Sequence, residues 1–295
     1  MPLTFAFATS ACPGWELQRM VDAALRLGFS GIEFAGLDDQ VPPSQGGAQA
    51  LLASADATRE LLQQSRLGVC GLATRIALHP RDPAAWRRAR SAIAEAARMA
   101  RALGAPVVRV LGLHAERGES LREAMVRVAL RLREVAGDAC GSDTVPHVRI
   151  LLQNAGSFVF AKDLWTLMEV ANAPHPGLAW DAGEAALPSG GNESSALAIQ
   201  TLNSRLALIH LWDHHATPAP VTLGTGIVKG RLLLERLRGI GYHGCVVYAP
   251  PPGATPPDQA EPLLEAAAAA LHQWAGAKPN TNASDAPFHP TGSRK

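Results

Sequence analysis

The sequence predicts an α/β protein in which strands and helices alternate to close a (β/α)8 barrel, and three observations carry that expectation. The first is a phrase that recurs along the chain: an amphipathic helical stretch, a glycine, then a short apolar run ending in polar residues. Leu27-Gly28 precedes Gly31-Ile32-Glu33-Phe34, and Leu67-Gly68 precedes Val69-Cys70-Gly71-Leu72. Leu103-Gly104 precedes Val107-Val108-Arg109-Val110, and Ile240-Gly241 precedes Cys245-Val246-Val247-Tyr248. The second is that runs such as Ile150-Leu151-Leu152 and Leu206-Ala207-Leu208-Ile209 are almost continuously apolar, as parallel strands covered on both faces require. The third is length, since 295 residues suit one such barrel. A doubly wound open sheet is the alternative topology, but eight strands alternating with eight helices fit closure better.

Taken in order, strands are expected near residues 3–8, 31–35, 69–74, 106–112, 148–153, 177–181, 206–212 and 244–248. Glycine just past a helix end can adopt the left-handed conformation that satisfies orphan carbonyls and turns the chain toward the next strand. Between Asp82 as N-cap, Pro83 at the first helical position and Gly104 beyond the end, Trp86, Ala89, Ile93, Ala97 and Ala100 share one face. Leu121, Met125, Val128, Leu132 and Val135 repeat the pattern. The Ala-rich run Ala266–Ala270 reads as the closing helix. Residues 37–49 read as a long loop after the second strand, and from about Gly276 the composition is too poor in apolar residues to pack. The expected organisation is therefore one barrel over 1–275 and a short disordered tail over 276–295.

With 47% hydrophobic and 18% charged residues the chain can bury a large core. A net charge of +1 supplies no field to attract polyanions, so neither nucleic acid nor an acidic membrane is an expected partner. Cys12, Cys70, Cys140 and Cys245 form no Cys-x-x-Cys pair, which argues against a zinc knuckle or disulfide framework and fits a reducing cytoplasm. The N-terminal stretch has no basic residue before Arg19, unlike a secretory signal, and no run reaches membrane-span length. Gly224-x-Gly226 does not continue into a dinucleotide fingerprint, so no nucleotide cofactor is expected; no Walker loop, nucleophile elbow or His-Glu-x-x-His helix occurs.

In a barrel the working residues come from the C-terminal ends of the strands. The sequence places there Glu33, Arg75, Arg109, His114, Gln153-Asn154, Asp181 with Glu184, His210 with Asp213-His214-His215, and Tyr248. Any one of these alone is an ordinary hydrogen-bonded strand-end residue. Their presence at most strand exits points to a site.

Several phrases resemble those of the sugar phosphate isomerase/epimerase family, the xylose isomerase-like TIM barrels. Leu151-Leu152-Gln153-Asn154-Ala155-Gly156 is similar to its Glu-Asn-His-Gly phrase, and Ala179-Trp180-Asp181-Ala182-Gly183-Glu184 to its Trp-Asp-x-Gly-His. Ile209-His210-Leu211-Trp212-Asp213 resembles its His-x-Lys-Asp strand, Leu223-Gly224-Thr225-Gly226 its Leu-Gly-x-Gly segment, and Gly241-Tyr242-His243-Gly244 its Gly-Tyr-x-Gly. The resemblance implies a small sugar or sugar phosphate as partner and one divalent cation (Mn²⁺, Mg²⁺, Co²⁺ or Zn²⁺) held by a Glu, an Asp, a His and a second Glu. Carried over, those places are Gln153, Asp181, His210 and Tyr248, so both glutamates, which in the family also move the proton, are replaced. Asp181 and His210 are then the expected metal ligands, and Glu33, Asn154, Arg109, Asp213 and His214 the expected substrate contacts.

Three carboxylates would put about −3 around a dication, against about −1 from Asp181 alone, and hard cations depend on anionic oxygen. Gln153 offers a neutral carbonyl, and Tyr248 a phenol with an ordinary pKa of about 10; neither is a ready base for a carbon acid. Glu184, in place of a substrate-contacting His of the family, is the substitute carboxylate, with Glu33 or the histidines at 210–215 as further candidates. Those clustered histidines also raise a new zinc site, which the divergence of adjacent side chains disfavours. Two functional classes follow: an isomerase or epimerase with a degenerate metal site, or a catalytically silent carbohydrate-binding or regulatory barrel. An apurinic-site endonuclease on this fold would need a His- and Glu-rich three-zinc site that these strand ends do not supply. Oligomeric state is not legible.

Overall fold

Parallel strands follow one another in sequence order around a closed barrel: β1 (Thr4–Ala8), β2 (Gly31–Leu37), β3 (Gly68–Ala77), β4 (Val107–Leu111), β5 (Arg149–Gln153), β6 (Gly177–Asp181), β7 (Leu206–Leu211) and β8 (Cys245–Tyr248). β8 returns to pair with β1, Thr4 opposite Cys245 and Phe7 opposite Tyr248, so no strand edge is left open. This computed structural model describes residues 3–37, 54–139, 147–173, 175, 177–188, 191 and 193–276. The expected loop at 37–49, apart from Leu37, the expected tail beyond Gly276, and Cys140 lie outside the described residues.

The barrel helices are α1 (Leu17–Leu27), α2 (Ala55–Gln64), α3 (Pro83–Leu103), α4 (Leu121–Ala139), α5 (Ala161–Ala171), α6 (Ser195–Leu202), α7 (Gly230–Gly239) and α8 (Ala260–Ala275). α3 begins as its sequence predicts: the Asp82 carboxylate accepts from the Ala85 N–H at 2.7 Å, Pro83 opens the first turn, and Gly104 ends it with φ 73°. Gly28 and Gly241 take the same left-handed conformation. At the second joint the expectation needs correcting, because Arg66 (φ 54°) makes the turn while Gly68 already belongs to β3. The glycine required at this seam is Gly31, since a Cβ there would sit 2.5 Å from the Gly68 carbonyl oxygen of the neighbouring strand.

Alternation along the strands divides the interior into two cores. Ala6, Ala8, Cys70, Val107, Leu151, Ala179, Leu208, Cys245 and Val247 fill the lumen, most of them small enough to share a narrow tube. Phe7, Ile32, Leu72, Val108, Leu152, Trp180, Ile209 and Tyr248 point outward and pack against the helices. Between β6 and α6 stands a one-turn helix, Ala182–Ala186, that the periodicity did not reveal because five residues are too few to show one. Among the described residues no helix is long and apolar enough to cross a membrane.

Replacing Asp82 with Ala should cost about 1 kcal/mol, the typical value of an N-cap, read as a lower urea midpoint at unchanged m-value. An unchanged midpoint would mean that water caps α3 equally well.

Candidate functional site at the barrel mouth

The inward parity that fills the lumen with small residues continues upward and delivers polar ones to its C-terminal rim. Glu33, Arg109, Gln153, Asp181 and His210 arrive there from β2, β4, β5, β6 and β7, and with Glu184 they line a cavity of about 430 Å³. Arg75, His114, Ala249 and Pro250–Pro252 complete much of its wall.

At its base the side chains form one hydrogen-bonded chain. His210 Nε2 lies 3.0 Å from Glu33 Oε1 and 2.9 Å from Oε2, while His210 Nδ1 lies 3.1 Å from Gln153 Oε1. The Oε1 contact has hydrogen-bond geometry; Oε2 is in ion-pair range and, among the described residues, accepts no hydrogen bond. Gln153 Nε2 turns toward Asp181 Oδ2 at 3.4 Å. Asp181 Oδ1 accepts from the Trp212 indole N–H and the Glu184 backbone N–H, each at 2.9 Å. Asn154 clamps the same strand end: its amide donates to the Asp181 carbonyl at 3.0 Å and its oxygen accepts the Asp181 N–H at 2.6 Å. Asn154 is fully buried and does not line the cavity, so what it touches is β6.

Glu184 owes its position to Asp181, which caps the one-turn helix and so holds the Glu184 side chain over the cavity. Burial, and then the charge of Asp181, push the Glu184 carboxyl up to about 7. Asp181 is itself raised by burial, against the pull of His210, the Glu184 N–H, Trp212 and Arg109. Arg109 is shifted down by burial and supported by Glu33 and Asp181. Its Nη1 donates to the Thr74 carbonyl at 2.6 Å, and Thr74 Oγ1 donates back to the Arg109 carbonyl at 2.7 Å.

Besides Asn154, three of the residues expected here lie elsewhere. Asp213 is fully buried and accepts four backbone N–H groups: His214 and Val228 on Oδ1, Gly224 and Gly226 on Oδ2, all at 2.9 Å. The Leu-Gly-x-Gly segment is thereby explained, since a Cβ at Gly226 would sit 2.3 Å from Asp213 Oδ1. His214 is buried with Nε2 3.0 Å from the Gly183 carbonyl and Nδ1 accepting the Ala216 N–H at 3.0 Å, which fixes the Nε2–H tautomer of the neutral ring. Tyr248 faces the helix layer, its hydroxyl buried and, among the described residues, without a partner, and its phenol is pushed well up by burial and by Asp213. Register explains the displacement: Val247 pairs with His210 and points into the lumen, so the next inward position is Ala249, which does line the cavity. The sequence reading missed Ala249, though counting parity from the Val246-Val247 pair could have found it. It also missed Trp212, whose indole the Trp-Asp pattern does not announce.

This donor set does not fit the divalent cation that the strand-end phrases imply. Among the described residues no cluster of three or more His, Cys, Asp or Glu side chains is arranged to hold a metal ion. Gln153 and Ala249, which line the cavity beside Asp181 and His210, carry no charge, and both ring nitrogens of His210 already face protein acceptors. Introducing Gln153→Glu together with Ala249→Glu should create Mn²⁺ binding measurable by calorimetry, at least about tenfold tighter than any in the parent chain. Gln153→Glu with Tyr248→Glu should not, because position 248 faces away; equal binding by both pairs would refute the parity assignment.

A family model described as the xylose isomerase-like TIM barrel matches residues 21–273. No curated protein sequence matches the chain. Among solved structures, D-allulose 3-epimerase from Methylomonas sp. superposes with a TM-score of 0.72 at 18% identity, over 92% of this chain and 98% of that one. The 3-keto-D-glucoside 4-epimerase from E. coli gives 0.72 at 16%, over 92% and 99%. D-psicose 3-epimerase from Clostridium cellulolyticum, solved with D-tagatose, gives 0.69 at 15%, over 93% and 98%. At these identities the likeness is one of fold, and with the family match it settles the classification: the chain belongs to the xylose isomerase-like TIM barrel family.

Proposed function

We propose that this barrel acts on a small sugar or sugar phosphate, moving a proton between neighbouring carbons, with Glu184 as the group that carries it. The observation that supports this most is a half-buried carboxyl at the cavity wall, raised to about 7 by burial and by Asp181. A base working on a carbon acid at neutral pH is most effective when its pKa lies near the medium. The hydrogen-bonded run Glu33–His210–Gln153–Asp181 would orient substrate hydroxyls through its carboxylate and amide groups, with His210, engaged at both ring nitrogens, holding Glu33 and Gln153 in place. Family membership and sugar epimerases among the structural neighbours support the substrate class, one of them having been solved with D-allulose. The metal site is degenerate on this reading, and cysteines that form no Cys-x-x-Cys pair support a reducing, cytoplasmic setting.

A silent carbohydrate-binding barrel is the second reading, favoured by the neutral residues Gln153 and Ala249 on the cavity wall. Wash-in of solvent deuterium into a panel of ketoses and aldoses, followed by NMR, separates the two. Exchange at one carbon is expected, with kcat/KM rising as pH climbs through about 7, where Glu184 becomes the carboxylate. Glu184→Gln should lower the exchange rate by about 10²–10⁴. The same variant should be more stable than the parent at pH 8. The sign follows from a folded-state pKa raised from 4.5 to about 7: the native state binds this proton more tightly, and its advantage is lost as pH rises through that window. Sugars that bind without exchange at any pH would favour the silent barrel.

A further inference from the structure

We propose that Arg109 is the electrophile of this site, the fixed cation that polarises a substrate carbonyl and stabilises the enediolate in place of a divalent metal. The inference rests on the proton-transfer reading above and adds to it the group that receives the developing negative charge. A carbonyl-adjacent C–H loses its proton to the Glu184 carboxylate. The C–H electron pair becomes the carbon–carbon π bond, and the carbonyl π pair moves onto oxygen. That oxygen needs a cation or strong donors within reach. Among the described residues no three His, Cys, Asp or Glu side chains are arranged to hold a metal ion, Gln153 and Ala249 carry no charge, and both His210 nitrogens are engaged.

Arg109 has the attributes the role demands. It lines the cavity and is only 7% exposed, so its charge acts in a poorly screened setting. Among the described residues its hydrogen bonding is confined to Nη1, anchored on the Thr74 carbonyl, while buried Nε has no acceptor. Among the described residues Nη2 makes no hydrogen bond, and the side chain it belongs to lines the cavity. An anchored guanidinium with donors to spare is preorganised for a planar oxyanion. Its charge is balanced by Glu33 and Asp181, and a dication placed among those same carboxylates would be repelled by it.

The test uses threonohydroxamate, a four-carbon analogue of a planar enediolate, and D-fructose as a neutral sugar, both titrated calorimetrically into the full chain in EDTA. The parent chain should bind both. Arg109→Met should weaken the hydroxamate at least about tenfold and Arg109→Lys less, while D-fructose changes less than about threefold. Unfolding midpoints of both variants check that the barrel is intact, and if the Met variant fails to fold, the Lys variant decides by the ratio of the two affinities. Hydroxamate affinity unchanged by these substitutions overturns the proposal. Binding that appears only when Mn²⁺ replaces EDTA also overturns it, while leaving the sugar-directed reading in place. Failure of both probes under every condition overturns the two together.

Discussion

Asp181 is the interaction on which the rest of the mouth depends. It is the last residue of β6, faces the lumen, and is the N-cap of the one-turn helix that follows. One oxygen holds the Glu184 backbone and the Trp212 indole, while the other faces Gln153 and lies 3.9 Å from His210 Nδ1. A single buried carboxylate therefore closes the end of a strand, starts a turn, and raises the proton affinity of the side chain that turn presents. Neutralising it would loosen Glu184 and lower its pKa together, so position and chemistry at 184 are not separable.

The second constraint is parity. In a parallel barrel every second side chain enters the lumen, and the eight strands set a common rim height through their stagger. Glu33, Arg109, Gln153, Asp181 and His210 meet because each has the right parity at the right height. Asp213 and His214 lie one turn further along the chain and have been drawn into loop architecture, where four N–H groups converge on one carboxylate. That loop is held by hydrogen bonds converging on Asp213 together with the burial of Leu223 and Val228.

Much of this was legible in the residues. Strand positions followed from apolar runs punctuated by glycine, and the N-cap of α3 followed from Asp82-Pro83, because these signals are local. The cavity wall was legible in part, since polar residues at strand ends are conspicuous against apolar surroundings. Tyr248 was misplaced for a physical reason: a one-residue error in parity reverses the face, and a polar aromatic beside an apolar run looks like a site residue whichever way it points. The pairing of His210 with Glu33, 177 positions apart, had no local signature and emerges only on barrel closure.

The account's central claim is that burial beside Asp181 gives Glu184 a proton affinity suited to neutral pH. Carbon-13 NMR titration of the Glu184 carboxyl, assigned by comparison with Glu184→Gln, measures it directly. A midpoint at about 7 is predicted. A midpoint near 4.5, the value of an unperturbed glutamate, would contradict the account.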